Sequence, residues 1–270
     1  MLKIENTEVI GWGVAIRGIR NPMDSLEQSD SDYRPILCKR CDNCMSYQLE
    51  QWGDCEQCEV EKQAEAHAGY MVGPNDLELM TCLRNAGTDH RKFMQMVNVY
   101  ADITAPLYWW SEFKAYCTGG EFGDNEPEII DSWYLKHDTK KDSCSDTHDT
   151  KKFKLEDFSY DQLNMICGHQ LESTIEFLNL YWRIYEDWDS LDANSQNAFR
   201  VSTKKEAWRQ MIKLMPSSYN QKRTVMLNYE ALTEMYKSCK NNELDEWQVF
   251  CEWIRSLPYS ELITGEKNDG

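Results

Sequence analysis

Basic residues are scarce in this chain. It carries 29 Lys and Arg against 46 Asp and Glu, a formal net charge of −17 over 270 residues. Such a field repels polyanions, so a broad non-specific nucleic-acid surface is not expected. A local pocket for one small phosphate stays compatible with it, and the paired cations at 39–40, 140–141, 151–152, 204–205 and 222–223 are the available contributors. Long apolar runs are missing too. None approaches the roughly 18–20 residues that a membrane-spanning helix needs. The opening MLKIENTEVIGW has no basic stretch followed by an apolar core, so no signal peptide is expected.

Familiar catalytic signatures are also missing. There is no Walker loop, no G-x-G-x-x-G, no G-x-S-x-G elbow and no H-E-x-x-H. The zinc-deaminase pattern of His-x-Glu followed by Pro-Cys-x-x-Cys is absent as well. The five histidines (His67, His90, His137, His148 and His169) form no i, i+4 pair. Apolar content is a lean 41%, but 10 Trp, 14 Tyr and 8 Phe supply enough large side chains for a genuine core.

Cysteine is what the chain does have. Cys38, Cys41, Cys44, Cys55 and Cys58 fall within CKRCDNCMSYQLEQWGDCEQC, and two C-x-x-C turns ten residues apart have the spacing of a tetrathiolate zinc site. Cys41, Cys44, Cys55 and Cys58 are one self-consistent set. Cys38 with Cys41 is an alternative first pair, and a redox disulfide is the alternative chemistry. A zinc ion here would supply folding energy that a short polar segment cannot draw from burial. Residues 29–73 therefore read as a Cys-rich, zinc-stabilised insertion ending at Gly73-Pro74. The total of 11 cysteines is odd and several fall in helical stretches, which fits a reducing compartment and an expected cytoplasmic location.

Outside that insertion the patterns are mixed. Leu2, Ile4, Val9, Ile10 and Trp12 form a short alternating start. Asn75 or Asp76 is expected to cap a helix through about Asn85, which Gly87 stops. Met94 to Ile103 alternates and is rich in β-branched residues, so it predicts a strand, with Pro106 opening the next helix. Residues 118–152 read as a charged loop. Ser159 and Gln162 are spaced as a capping box, after which Leu163, Cys167, Leu171, Ile175, Leu178, Trp182 and Tyr185 recur at helical spacing. Further helices are expected over 203–215, 222–240 and 245–256.

Two segments carry a family resemblance. The run DHRKFMQMVNVYADITAPLYWWSEFKAYC and the later KLMPSSYNQKRTVMLNYEALTEMYKSCK resemble the flavin-dependent thymidylate synthases of the ThyX type. His90 falls on that family's flavin-contacting histidine, Ala105-Pro106 on its Ala-Pro, and Glu112 on the glutamine of Gln-x-x-Arg-His-Arg. Ser145 and His148 in SCSDTH stand at its Ser-x-Arg-Tyr. Met215-Pro216 matches its Leu-Pro, with Asn228 twelve residues on, and Asp245-Glu246-Trp247 sits near its last helix. The family's Arg-His-Arg positions hold Ala115, Tyr116 and Cys117, and its further arginine positions hold Thr147, Ile212, Glu230 and Cys239. Arginine pairs bidentately with phosphate, so the resemblance leaves phosphate recognition to Lys114, Lys151, Lys152, Arg209, Lys222 and Arg223.

The resemblance implies an α+β, ThyX-like fold, predominantly helical with a small β-sheet, over residues 1–28 and 74–258, with 259–270 as a tail. It implies FAD as cofactor, a pyrimidine nucleotide such as dUMP and a folate as ligands, and a homotetramer. Carried over position by position, Ser145 and Glu112 are the catalytic candidates. His90, His148 and Lys114 would bind cofactor, and Arg209, Lys222 and Asn228 the nucleotide. The alternative is a non-catalytic protein of that fold, whose zinc loop and acidic surface bind a protein partner.

Overall fold

The structure, a computed structural model, describes residues 2–35, 68–118, 128–130, 152–191 and 200–266. In chain order the elements are β1 (Lys3–Ile10), α1 (Trp12–Arg20), β2 (Asp32–Pro35), β3 (Ala68–Met71), α2 (Pro74–Asn85), β4 (Asn98–Pro106), α3 (Leu107–Thr118), β5 (Glu128–Ile130), α4 (Met165–Glu186), α5 (Lys204–Leu214), β6 (Asn220–Asn228), α6 (Tyr229–Cys239), α7 (Asp245–Ser256) and α8 (Glu261–Thr264). Helices dominate and the sheets are small, as an α+β reading requires. No helix among the described residues is long and apolar enough to cross a membrane.

The chain divides into two compact units. The first comprises Met1–Glu8, Tyr100–Leu227 and Glu234–Ser256. Its four-stranded sheet has the order β1-β4-β6-β5, and β5 runs antiparallel to β6 with Ile129 opposite Val225. Both central strands alternate. Ala101, Ile103 and Ala105 of β4 are buried, as are Gln221, Arg223, Val225 and Leu227 of β6, while Lys222 and Thr224 between them face out. That period of two is why 220–228 is a strand, where the sequence predicted one helix over 222–240; the helix starts only at Tyr229. The core beside the sheet is aromatic. Trp109 of α3 lies 5.0 Å from Phe113, 4.8 Å from Trp247 and 5.7 Å from Phe250 of α7.

α4 is the long helix that the periodicity predicts, but it starts later. Asn164 caps it by accepting from Cys167 N at 2.9 Å. The predicted capping box does not form: Gln162 has φ +65°, which helical backbone does not allow, and Ser159 donates to Asn220 at 2.8 Å instead. The buried face of α4 (Leu171, Ile175, Leu178 and Ile184) packs with Ala207 and Met211 of α5. Pro106 ends β4 rather than opening α3. The free donors at the start of α3, Leu107 N and Tyr108 N, bond to Tyr219 O and Ser217 O.

The second unit comprises Val9–Val99, Asn228–Thr233 and Leu257–Gly270. It contains α1, which the sequence pattern did not reveal because its buried residues number only Trp12, Ala15, Ile16 and Arg20. Trp12 stands edge-on to Tyr229 and Tyr259, 5.0 Å from each. Asp30, not Asn75 or Asp76, caps α2 by accepting from Asn75 N at 2.9 Å and Asp76 N at 3.2 Å. Asp76 is instead fully buried, holding Arg20 and accepting from Ser29 at 2.6 Å and Ser31 at 2.5 Å. The predicted strand over 94–103 begins at Asn98, after a 3-10 turn at Lys92–Met96. β2 and β3 pair antiparallel with Pro35 opposite Ala68. Cys38, Cys41, Cys44, Cys55 and Cys58 lie outside the described residues. Among the residues that are described, no group of three or more His, Cys, Asp or Glu is placed to hold a metal ion.

Candidate ligand site

In the second unit, α2 runs out at Asn85 and the chain turns at Gly87 (φ +113°), where His90 N bonds to Gly87 O at 3.1 Å. The 3-10 turn that follows puts the side chains of Lys92, Phe93 and Met96 beside His90. These four and Ile19 and Met23, from the α1 side, line an open cavity of about 400 Å³. Phe93 is buried in its wall, whereas Met23 and Met96 are 48% and 45% exposed. Gly11 fixes the rim from beneath. Its φ is +104°, and a Cβ there would lie 2.0 Å from Met96 O, so only glycine lets the β1–α1 junction approach this backbone so closely. Arg91 does not join the cavity wall. It is buried in an ion pair with Glu230, with Nη2 to Oε1 at 2.8 Å.

In the first unit, α3 presents Tyr108, Glu112 and Tyr116 at successive i, i+4 positions, hence along one face. Trp247 Nε1 of α7 donates to Glu112 Oε2 at 2.7 Å, and Tyr108 OH donates to Glu246 Oε1 at 2.5 Å. Burial, followed by the Glu246 bond and the nearby charges of Asp161 and Glu112, pushes the Tyr108 hydroxyl far above its usual pKa, so it remains a donor. Tyr116 accepts from Asn242 Nδ2 at 3.0 Å and meets Trp247 edge-on at 4.6 Å. The result is a carboxylate, Glu112, held still by an indole.

The other residues picked out by sequence have separate settings. Lys222 lies 3.3 Å from Glu5 and 3.5 Å from Asp102. The hydrogen bond it donates to Glu5 is foremost in holding its pKa above the usual lysine value; Glu5 is lowered chiefly by its bond from Lys3 and then Lys222, and Asp102 by its bonds from Thr224 and Asn6. Asn228 accepts from Ala231 N at 2.8 Å in the first turn of α6. Arg209 is exposed on α5 and Lys114 on α3. A second surface depression, about 550 Å³, is flanked by Lys152 and Arg183 at the side of α4. Ser145 and His148 lie outside the described residues. The sequence pointed to Glu246 but not to its partner Tyr108, although the i, i+4 spacing of Tyr108 and Glu112 was there to find. Nor did it point to the Arg91–Glu230 pair, for which a separation of 139 residues leaves no local signal.

No protein-family model matches the sequence, and no curated protein is similar to it. The fold is another matter. A crystal structure of thymidylate synthase X (ThyX) from Helicobacter pylori with FAD and dUMP aligns over 98% of this chain and 98% of its own, at 13% identity and a TM-score of 0.54. A second, of the same organism's flavin-dependent thymidylate synthase ThyX complexed with FAD and dUMP, aligns over 97% of this chain and 98% of its own, at 13% identity and a TM-score of 0.52. The chain has a ThyX-like fold.

Proposed function

We propose that this protein binds a flavin against His90 and modifies a pyrimidine nucleotide, with FAD-dependent methylation of dUMP as the reference reaction. The observation that carries this reading is an open cavity beside His90, in a fold whose similar structures hold FAD and dUMP. The residues present fit the group. Phe93, Met96, Ile19 and Met23 make an apolar wall for a flat ring, and His90 and Lys92 offer donors to a phosphate. Bound flavin would supply the hydride that no side chain can deliver.

The chain's own residues would do the rest. Phe93 and Met96 keep water from one ring face, and His90 orients the group by hydrogen bonding. Glu112, fixed by Trp247, is an acceptor suited to a pyrimidine ring N–H. Ser145 and His148 keep the catalytic and cofactor roles that the resemblance gives them. Lys114 joins His90 and His148 at the cofactor, Arg209, Lys222 and Asn228 are the nucleotide candidates, and a folate would donate the one-carbon unit. Zinc belongs to the same proposal, held by four of the five clustered cysteines; unchanged zinc content in a Cys41→Ser/Cys58→Ser variant would refute that set.

A second reading, a non-catalytic interaction protein, is favoured by one observation. The cations Arg91 and Lys222 both face carboxylates of the same chain instead of an open site. The visible spectrum of the purified protein separates the two. The enzyme reading expects flavin absorption bands, or a rise in melting temperature with FAD and with dUMP, and loss of the FAD response in His90→Ala. A colourless protein that neither ligand stabilises would overturn it in favour of the second.

A further inference from the structure

Two cysteines that the proposed function does not use face each other in the first unit. Cys239 ends α6 and Cys251 lies in the second turn of α7; both are fully buried, and their Sγ atoms are 3.3 Å apart. Neither is in a disulfide. The intervening turn, 240–244, is largely exposed and carries Asn242, which donates to Tyr116. One helical turn before Cys251 stands Trp247, the residue that holds Glu112. The two thiols thus sit at the base of the α6–α7 corner from which the Glu112 cluster is held.

We propose that Cys239 and Cys251 form a reversible redox modification site, closed to an intramolecular disulfide by a peroxide. Their separation exceeds a sulfur–sulfur bond by only about 1.3 Å, a gap that small side-chain rotations close. Cys251 is the attacking group. With Cys239 as the donor of the bond between them, that bond and the charge of Arg255 lower the Cys251 pKa against the burial that raises it, while Cys239 stays a thiol. In the first step the Cys251 sulfur takes one peroxide oxygen as the O–O bond breaks. The leaving hydroxide gains a proton and departs as water, so Cys251 becomes a sulfenic acid. The Cys239 sulfur then attacks Cys251, the S–S bond forms, the S–O bond breaks and a second water leaves. The two thiols lose two electrons in total and the peroxide gains them. A dithiol reverses the change. Once closed, the bond staples α6 to α7 and restricts the turn 240–244, so the oxidised protein holds Trp247 and Asn242 more tightly against α3.

The test uses the full-length reduced protein and hydrogen peroxide, followed by unfolding in the presence of an alkylating agent and peptide mapping without reduction. Cys82 and Cys167 are exposed and report the dose. The expected result is loss of both alkylated peptides that contain Cys239 and Cys251, gain of one linked peptide lighter by two hydrogens, and full recovery with dithiothreitol. In Cys239→Ser, dimedone should trap a sulfenic acid on Cys251; in Cys251→Ser, Cys239 should stay alkylatable. Amide exchange in 240–244 should slow in the oxidised protein. Recovery of both alkylated peptides at a dose that oxidises Cys82 and Cys167 would overturn the proposal, as would sulfinic acid at Cys251 without a link. The wild-type map decides the matter even if neither variant folds.

Discussion

The two units handle their polar groups in opposite ways. In the first, three described groups have partners within the unit: Glu112 has Trp247, Tyr108 has Glu246, and Lys222 has Glu5 and Asp102. In the second, Asp76 and Glu230 are similarly engaged, but His90 and Lys92 border a cavity of about 400 Å³ walled by exposed methionines. A buried polar group must be paired, so it rigidifies whatever it is paired with. A ligand site needs the reverse, donors whose partner arrives with the ligand. The contrast gives the first unit a carboxylate fixed by its neighbour and the second a cavity bordered by donors.

The sharpest way to break that contrast is to loosen the first unit. Trp247→Ala removes a fully buried ring from the Trp109 and Phe250 cluster and strips Glu112 of its donor, so it should cost about 3–5 kcal/mol in urea unfolding. A loss below about 1 kcal/mol would mean that this cluster is not the rigid body described. The second unit has its own fixed point at Asp76. Burial pushes its pKa up, but hydrogen bonds from Ser29 and Ser31 and the bond and charge of Arg20 outweigh burial and hold it below the ordinary value. A carboxyl depressed on folding adds stability above its unfolded pKa of about 3.9, and that contribution disappears as pH falls through the lower folded value. Asp76→Asn should therefore flatten the acid limb of the unfolding-versus-pH curve. It should also cost about 3 kcal/mol at neutral pH by leaving Arg20 buried without its carboxylate. An acid limb identical to wild type would remove Asp76 from the account.

Smaller effects sharpen the contrast. Gly11→Ala, forced to positive φ and into Met96 O, should cost about 1–3 kcal/mol. It should also weaken any thermal shift produced by FAD, because the cavity rim moves with Met96. A variant equally stable but unresponsive to FAD would confine the effect to the cavity. Smallest of all is Lys222→Ala. This lysine is 51% exposed, and solvent screens its two ion pairs, so the unfolding midpoint should not move measurably. A clear drop would show that the polar face of β4 and β6 is structural after all.

The long apolar periodicities were legible in the sequence. α4, α5 and α7 fall within a few residues of the spans expected for them, because each buries a stripe that repeats every three or four residues. The strand β6 was misread although KRTVMLN alternates, since its outward Lys222 and Thr224 resemble the polar face of a helix. The caps failed for a different reason. Asp30 reaches α2 from another segment, and a chain can always supply a cap from outside the local window. The ThyX-like fold was legible through Ala105-Pro106, which stands at the junction of β4 and α3, and through Met215-Pro216. The candidate site was legible as positions, not as environments. Nothing local to Lys222 announces Glu5 or Asp102, which come from other strands.

The ribbon of β2 and β3 has a consequence for how the chain can change. Because Pro35 is paired opposite Ala68, the two strand ends that flank residues 36–67 are held at one spot. Closing a loop costs entropy only as the logarithm of its length, each doubling adding about 0.6 kcal/mol. A short hairpin turn could thus replace residues 36–67 while Asp30, Ser31 and Asp76 keep their bonds.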